Sequence, residues 1–203
     1  MKLLYLLTVL RNGRDTYHER MLASFLQHVT PQPADVYEYD DRRTSLGMCA
    51  AHAKCWNAAA DSPLDWVFHI EEDMVILRPL ELQRLAAVLD MHDHLKQMAL
   101  VRCPWGFEIE HGGYIPQTPG WYERVGMYDH GWIETTRNWA TGPALFKTGL
   151  AREFPWDPSP GCETEIGPRI LRDYPDAKFG LWGWGEPLCA HVGVERAPGS
   201  HGY

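Results

Sequence analysis

An α/β fold, with a mostly parallel sheet and helices on both faces, is predicted by three observations. Short β-branched and aromatic runs alternate with helical patterns through the first half of the chain. Their order reads βαβαβαβ, which a parallel sheet with crossover helices satisfies. The run Val67–Ile70 is apolar on both faces, as a strand buried between two layers must be. Taken in order, Lys2–Leu10 is a strand. Thr16-x-x-Glu19 is a capping box for a helix whose apolar stripe is Met21, Leu22, Phe25, Leu26 and Val29, stopped by Pro31 and Pro33. Val36–Tyr39 is a second strand ending in Asp40-Asp41. Gly47–Ala60 is an Ala-rich helix, Trp66–Ile70 a third strand, Pro79–Met91 a helix with Leu82, Leu85, Ala86 and Leu89 on one face, and Met98–Cys103 a fourth strand.

The second half changes character. Pro104 to Asn138 is rich in Gly, Pro and Trp and has no periodicity, and seven of the nine tryptophans lie beyond residue 100. A strand at Ala144–Lys147, a helix at Glu163–Arg172 and a strand at Lys178–Leu181 follow, then a polar tail ending HVGVERAPGSHGY. The 203 residues suffice for one domain with a sizeable core. A net charge of −8 argues against general nucleic-acid or anionic-membrane binding. No segment approaches the ~20 apolar residues of a membrane span. MKLLYLLTVLRNG has too short an apolar run for a signal peptide and reads as the first core strand. Five scattered cysteines contain no CxxC pair, so they read as reduced thiols of a cytoplasmic protein.

The stretch DWVFHIEEDMVIL places three carboxylates at the end of a buried strand. Such groups are rarely buried unless paired or bound to a cation. Ligands of open α/β sheets sit outside the carboxyl ends of strands, which is where Glu71, Glu72 and Asp73 fall. Strand alternation puts Glu71 and Asp73 on one face and Glu72 on the other. Two carboxylates at that spacing suit a hard divalent cation completed by water and phosphate oxygens. They equally suit a strand that exits into solvent.

Several elements in order resemble the GT-A glycosyltransferases, nucleotide-sugar enzymes of DxD type and family-2-like. These are the first strand running into TVLRNGRD, EYDD closing the second strand, SLGMCAAHAKCWNAA before the third, HIEED in the DxD place with Glu71 for the usual first Asp, then GPALFKTGL, GCETEIG and LCAHVG. The resemblance implies one GT-A domain over residues 1–203, with a nucleotide-sugar-binding half at 1–103 and an acceptor half and tail at 104–203. It implies Asp73, Glu71 and His191 as ligands of Mn2+ or Mg2+, with Glu71 also toward the ribose. Thr8, Arg11, Arg14, Asp40, Asp41 and Arg196 would serve the nucleotide pocket. Arg11 and Arg14 read equally as solvated loop residues, and Asp40-Asp41 as a turn or cap. Glu163 or Glu165, where the family places its base, would take the acceptor's proton in an inverting transfer. Trp105, Trp182, Trp184 and His201 would meet substrate, with core packing the competing role for each tryptophan.

The activity implied is transfer of a sugar from a nucleotide-diphosphate donor, UDP by default, to a hydroxyl on a glycan, a glycolipid, a protein or, less readily, a hydroxylated DNA base. A metal-dependent phosphoesterase and a non-catalytic carbohydrate-binding module are the alternatives. His69-Ile70-Glu71 begins a zinc-deaminase signature, but Cys103-Pro104 reverses its second half. HExxH, GxSxG and Walker A loops are absent.

Overall fold

The computed structural model describes residues 2–9, 13–44, 47–103, 122–126, 131–137, 139–140, 142–159, 162–183 and 187–194. Within these, the side chains at 4, 6–9, 48, 102–103, 122, 162–163 and 194 lie outside the description. Three of the expected strands lie side by side: β1 (Leu3–Val9) pairs in parallel with β3 (Asp35–Asp40) and with β4 (Trp66–Glu71). β11 (Ala144–Lys147) then runs antiparallel between β4 and β7 (Leu95–Leu100). Beyond β7 come β12 (Lys178–Trp182) in parallel, β10 (Trp132–Thr135) and β9 (Tyr122–Val125). The eight strands therefore run β3-β1-β4-β11-β7-β12-β10-β9, with only β11 and β10 reversed.

The sequence of β4 sets the two faces of this sheet. Trp66, Phe68 and Ile70 point into a core with Leu3, Tyr5, Met21, Phe25, Leu85 and Leu89. Those partners come from β1, from α1 (Asp15–His28) and from α3 (Leu82–Met91). Val67, one residue out of phase, joins a second core with Cys55, Trp56, Phe146, Leu150, Ile166 and Ile170. Its helices are α2 (Met48–Asp61), α4 (Thr148–Glu153) and α5 (Cys162–Asp173). Helices thus cover both faces, as a strand apolar on both sides requires.

Some local expectations need correction. The capping box at Thr16 is not formed: α1 starts two residues earlier, behind Arg14, with no side-chain cap. Leu26 stands 66% exposed, because the buried stripe of α1 narrows to Met21, Ser24 and Phe25. Met98–Cys103 is not one strand, since Val101 separates β7 from β8 (Arg102–Cys103). Cys49 is disulfide-bonded, so the five cysteines are not all reduced thiols and no longer favour a reducing compartment. Cys55 and Cys189 are buried thiols.

The small strands escaped the sequence reading, and they matter most for the site. β5 (Met74–Ile76), β13 (Cys189–His191) and β8 form a three-stranded sheet beside the main one. A two-residue pair, β2 (Val29–Thr30) with β6 (Leu80–Glu81), ties the end of α1 to the start of α3.

Candidate active site at the carboxyl edge of the sheet

The alternation of β4 continues through His69 and Glu71 on the α2 side and ends there. Glu71 sits across from Thr8 at the end of β1. From α2 below, the His52 ring approaches it, with Nε2 3.5 Å from Glu71 Oε1. His52 is 3% exposed and packs edge-on against His69 and Trp156. Burial, with the neighbouring His69 ring, pushes its pKa down to about 3, so the ring is neutral where the protein works.

Past Glu71 the chain turns, and the expectation that Glu71 and Asp73 share a face opposite Glu72 fails. Glu72 and Asp73 form that turn and both face Arg14, which leads α1. The Arg14 guanidinium lies 2.7 Å from Glu72 Oε1 and 2.5 Å from Asp73 Oδ2. Glu72 is wholly buried, and the ion pair with Arg14 supplies counter-charge of the kind a buried carboxylate requires. Arg14 is not a solvated loop residue, since its side chain is largely buried between Glu72 and Asp73.

β13 brings the tail to the same place. Cys189, Ala190 and His191 pair antiparallel with Ile76, Val75 and Met74, and Val192 N–H donates to the Asp73 carbonyl at 2.8 Å. His191 Nε2 then falls 3.0 Å from Asp73 Oδ2. Burial alone would raise the Asp73 carboxyl, but His191 and Arg14 outweigh it and hold its pKa below the ordinary value. The turn Val192–Val194 closes over the carboxylate so tightly that a Cβ at Gly193 would sit 2.2 Å from Asp73 Oδ2.

The other expected site residues divide into four groups. Asp40 and Asp41 take the turn-and-cap role. Asp40 receives Arg42 Nε at 2.8 Å, while buried Asp41 accepts Thr44 Oγ1 at 2.6 Å and Gly47 N–H at 3.1 Å, at the start of α2. The Arg42 side chain lowers the Asp40 pKa to about 2. Trp182 ends β12 opposite Leu100, half-buried and stacked on Trp132 with ring centroids 6.4 Å apart. Glu165 is exposed in the first turns of α5, and no described contact joins it to Glu71, Glu72 or Asp73. Arg11, Trp105, Trp184, Arg196 and His201 lie outside the described residues, as do the side chains of Thr8 and Glu163. Sequence reasoning missed Glu72 as a buried pairing group, His52 beneath Glu71, and Gly193. The small residue two places after His191 was the available signal for the last.

Asp73 and His191 together offer an oxygen and a nitrogen donor 3.0 Å apart at the sheet's carboxyl edge. Among the described residues no group of three His, Cys, Asp or Glu side chains converges on one point. Two protein donors are what a divalent cation uses when substrate phosphates and water supply the rest. The donor set therefore fits Mn2+ or Mg2+. Among the described residues, the Arg14 guanidinium already meets two of the three carboxylates at this edge, Glu72 and Asp73.

No family model and no curated protein matches the sequence. Solved structures do match. TarS 1–349 from S. aureus aligns with a TM-score of 0.58 at 12% identity over 95% of this chain and 60% of its own. It has also been solved with UDP and with UDP-GlcNAc. Glucosyl-3-phosphoglycerate synthase from Mycobacterium tuberculosis, solved with Mn2+, UDP and phosphoglyceric acid, aligns at 0.54 and 12% over 89% of this chain and 67% of its own. A197 from STIV aligns at 0.53 and 9%, covering 89% of this chain and 81% of its own. The chain thus spans about 60% of the length of the TarS fragment. At such identities the likeness speaks for architecture, and on that evidence the chain has a GT-A-type glycosyltransferase fold.

Proposed function

We propose that this chain is a metal-dependent glycosyltransferase that moves a sugar from a UDP-sugar to a hydroxyl acceptor with inversion. The observation that carries the reading is the meeting of Asp73 and His191, 118 residues apart in sequence, at the carboxyl edge of a GT-A-type sheet. Solved structures of this fold hold UDP, UDP-GlcNAc, or UDP with Mn2+ or Mg2+.

Asp73 and His191 would hold the cation, with Glu71 directed to the ribose or the metal. When bound, the cation would supply Lewis-acid stabilisation of charge on the departing nucleotide. The chain's own residues do the rest. Neutral His52 supports Glu71 from below without adding charge, and the turn at Gly193 holds the Asp73 carboxylate in one place. Thr8, Arg11, Arg14, Asp40, Asp41 and Arg196 would line the nucleotide pocket. Glu163 or Glu165, in the first turns of α5, would take the acceptor's proton. Trp105, Trp182, Trp184 and His201 would border the acceptor, which is a hydroxyl of a glycan, a glycolipid, a protein or a modified DNA base. None of the described helices is long and apolar enough to cross a membrane.

Thermal stability against UDP, GDP, CDP and ADP, each with and without Mn2+, tests this reading. Stabilisation by one nucleotide only when metal is present, lost in Asp73→Ala, is expected. Indifference to every nucleotide–metal pair would overturn it and favour a carbohydrate-binding module. Metal-dependent release of inorganic phosphate from a phosphate ester would favour a phosphoesterase.

A further inference from the structure

We propose that Arg14 is an internal counter-cation with one fixed and one exchangeable arm, and that its hold on Asp73 makes metal binding conditional on the nucleotide. The inference rests on the transferase reading above and concerns the order in which charges are exchanged at that site.

The two arms of the guanidinium meet very different partners. One nitrogen lies 2.7 Å from Glu72 Oε1, on a carboxylate with no solvent exposure. A wholly buried carboxylate cannot give up its counter-charge without a large desolvation penalty, so this arm stays. The other nitrogen lies 2.5 Å from Asp73 Oδ2, the same oxygen that His191 Nε2 approaches at 3.0 Å. A metal using Asp73 and His191 must take over that oxygen, and a guanidinium charge already stands against it. Like charges so close oppose each other, and a cation arriving alone meets both the competition and the repulsion.

A nucleotide diphosphate removes both obstacles. Phosphate oxygens are the natural alternative partner for a guanidinium arm, since the planar fork holds two acceptors at once. With one arm still on Glu72, the other would pass from Asp73 to phosphate, which would leave the Asp73 carboxylate oxygen open to a metal. Arg14 stands at the start of α1, behind Gly13, and its guanidinium lies 5.4 Å from the centre of the Tyr17 ring. Metal and nucleotide therefore bind with positive coupling, and each must raise the affinity of the other by the same factor.

The experiment is Mn2+ titration followed by the electron paramagnetic resonance of the free ion. It uses the full chain alone and with excess UDP or GDP, corrected for Mn2+ bound by nucleotide in buffer. The unaltered chain is expected to bind Mn2+ at least tenfold more tightly with nucleotide than without. Two variants probe the arm. Arg14→Lys keeps a charge for Glu72 but lacks the second arm. Arg14→Met with Glu72→Gln removes the guanidinium together with the carboxylate of its fixed arm, so that carboxylate is not left without Arg14. In each, Mn2+ binding to the nucleotide-free chain is expected to tighten at least tenfold, with the coupling to nucleotide correspondingly reduced. Variants that bind Mn2+ no more tightly than the unaltered chain, while that chain still shows nucleotide-dependent Mn2+ binding, would overturn the role of Arg14 and leave the transferase reading intact. Absence of Mn2+ binding in all three chains, with either nucleotide, would overturn the metal site and this proposal with it.

Discussion

Gly193→Ala perturbs the site through a single methyl group. The added Cβ would stand 2.2 Å from Asp73 Oδ2, 2.6 Å from an Arg14 guanidinium nitrogen and 2.9 Å from Asp73 Cβ. Ordinary contacts need roughly 3.5 Å, so the carboxylate must retreat by more than about 1 Å. The two nearest atoms end flexible side chains and can rotate away, but Asp73 Cβ cannot. The backbone bond from Val192 to Asp73 at 2.8 Å ties the two segments together, so they cannot simply part. The Arg14–Asp73 and His191–Asp73 contacts are therefore expected to break. Overpacking together with lost polar contacts costs about 1–3 kcal/mol. Each 1.4 kcal/mol is about a tenfold change in an equilibrium constant, so the affinity for metal with nucleotide should fall by about tenfold or more. Urea unfolding measures the first effect and calorimetry with UDP and Mn2+ the second. Gly149→Ala in α4 is the control, because its Cβ meets nothing within 4 Å and stability should hold or rise. Were Gly193→Ala to match the parent in both stability and binding, the tight closure of the Val192–Val194 turn on Asp73 would be refuted.

Two further outcomes follow from buried charge elsewhere. His52 has a folded pKa of about 3 against about 6.5 when unfolded, so acid favours the unfolded chain. Its contribution is complete above pH 6.5 and falls away below it, by about 2 kcal/mol between pH 7 and 5. Urea unfolding of the parent should show that loss in excess of His52→Gln, and equal pH dependence in the two chains would mean that Glu71, 3.5 Å away, keeps the ring charged. Glu134 on β10 receives Lys178 at 2.7 Å, the Trp132 indole at 3.0 Å and His94 at 3.1 Å. Burial would raise its pKa, but these partners outweigh burial and lower it, so its stabilisation is present above the ordinary glutamate value and lost as pH falls through the folded one. Glu134→Gln should cost about 1–3 kcal/mol at pH 7 and progressively less below about pH 4, as read by thermal unfolding across that range.

The main sheet was legible because β4 carries its own evidence. Five apolar or aromatic neighbours ending in carboxylates specify a central strand and its ligand-facing end with no outside help. Ala144–Lys147 was read as a short strand, and the structure places one at those bounds. β5 and β13 are three residues each, too short for any period, and are defined by long-range pairing of β13 with β5 and with β8. Their pairing puts His191 on Asp73, a partnership proposed from resemblance and not from spacing. β9 and β10 were hidden in the aromatic stretch for a related reason: TrpIleGluThr at 132–135 is buried on both sides, so it shows no alternation. Glu72 was misjudged because alternation was extended past the last strand residue. A turn starts at that point, and Arg14, 58 residues earlier, decides where the carboxylate points. Local patterns record which strand ends at a site, whereas long-range pairing decides which charges meet there.

The central claim is most directly tested by incubating the chain with UDP-glucose, UDP-GlcNAc, UDP-galactose and GDP-mannose in Mn2+ and following nucleoside diphosphate release with and without a hydroxyl acceptor mixture. The account predicts release from one UDP-sugar that requires Mn2+, rises with acceptor and disappears in Asp73→Asn. Binding of sugars with no nucleotide released from any donor, in a chain whose fold and metal site are intact, would contradict it.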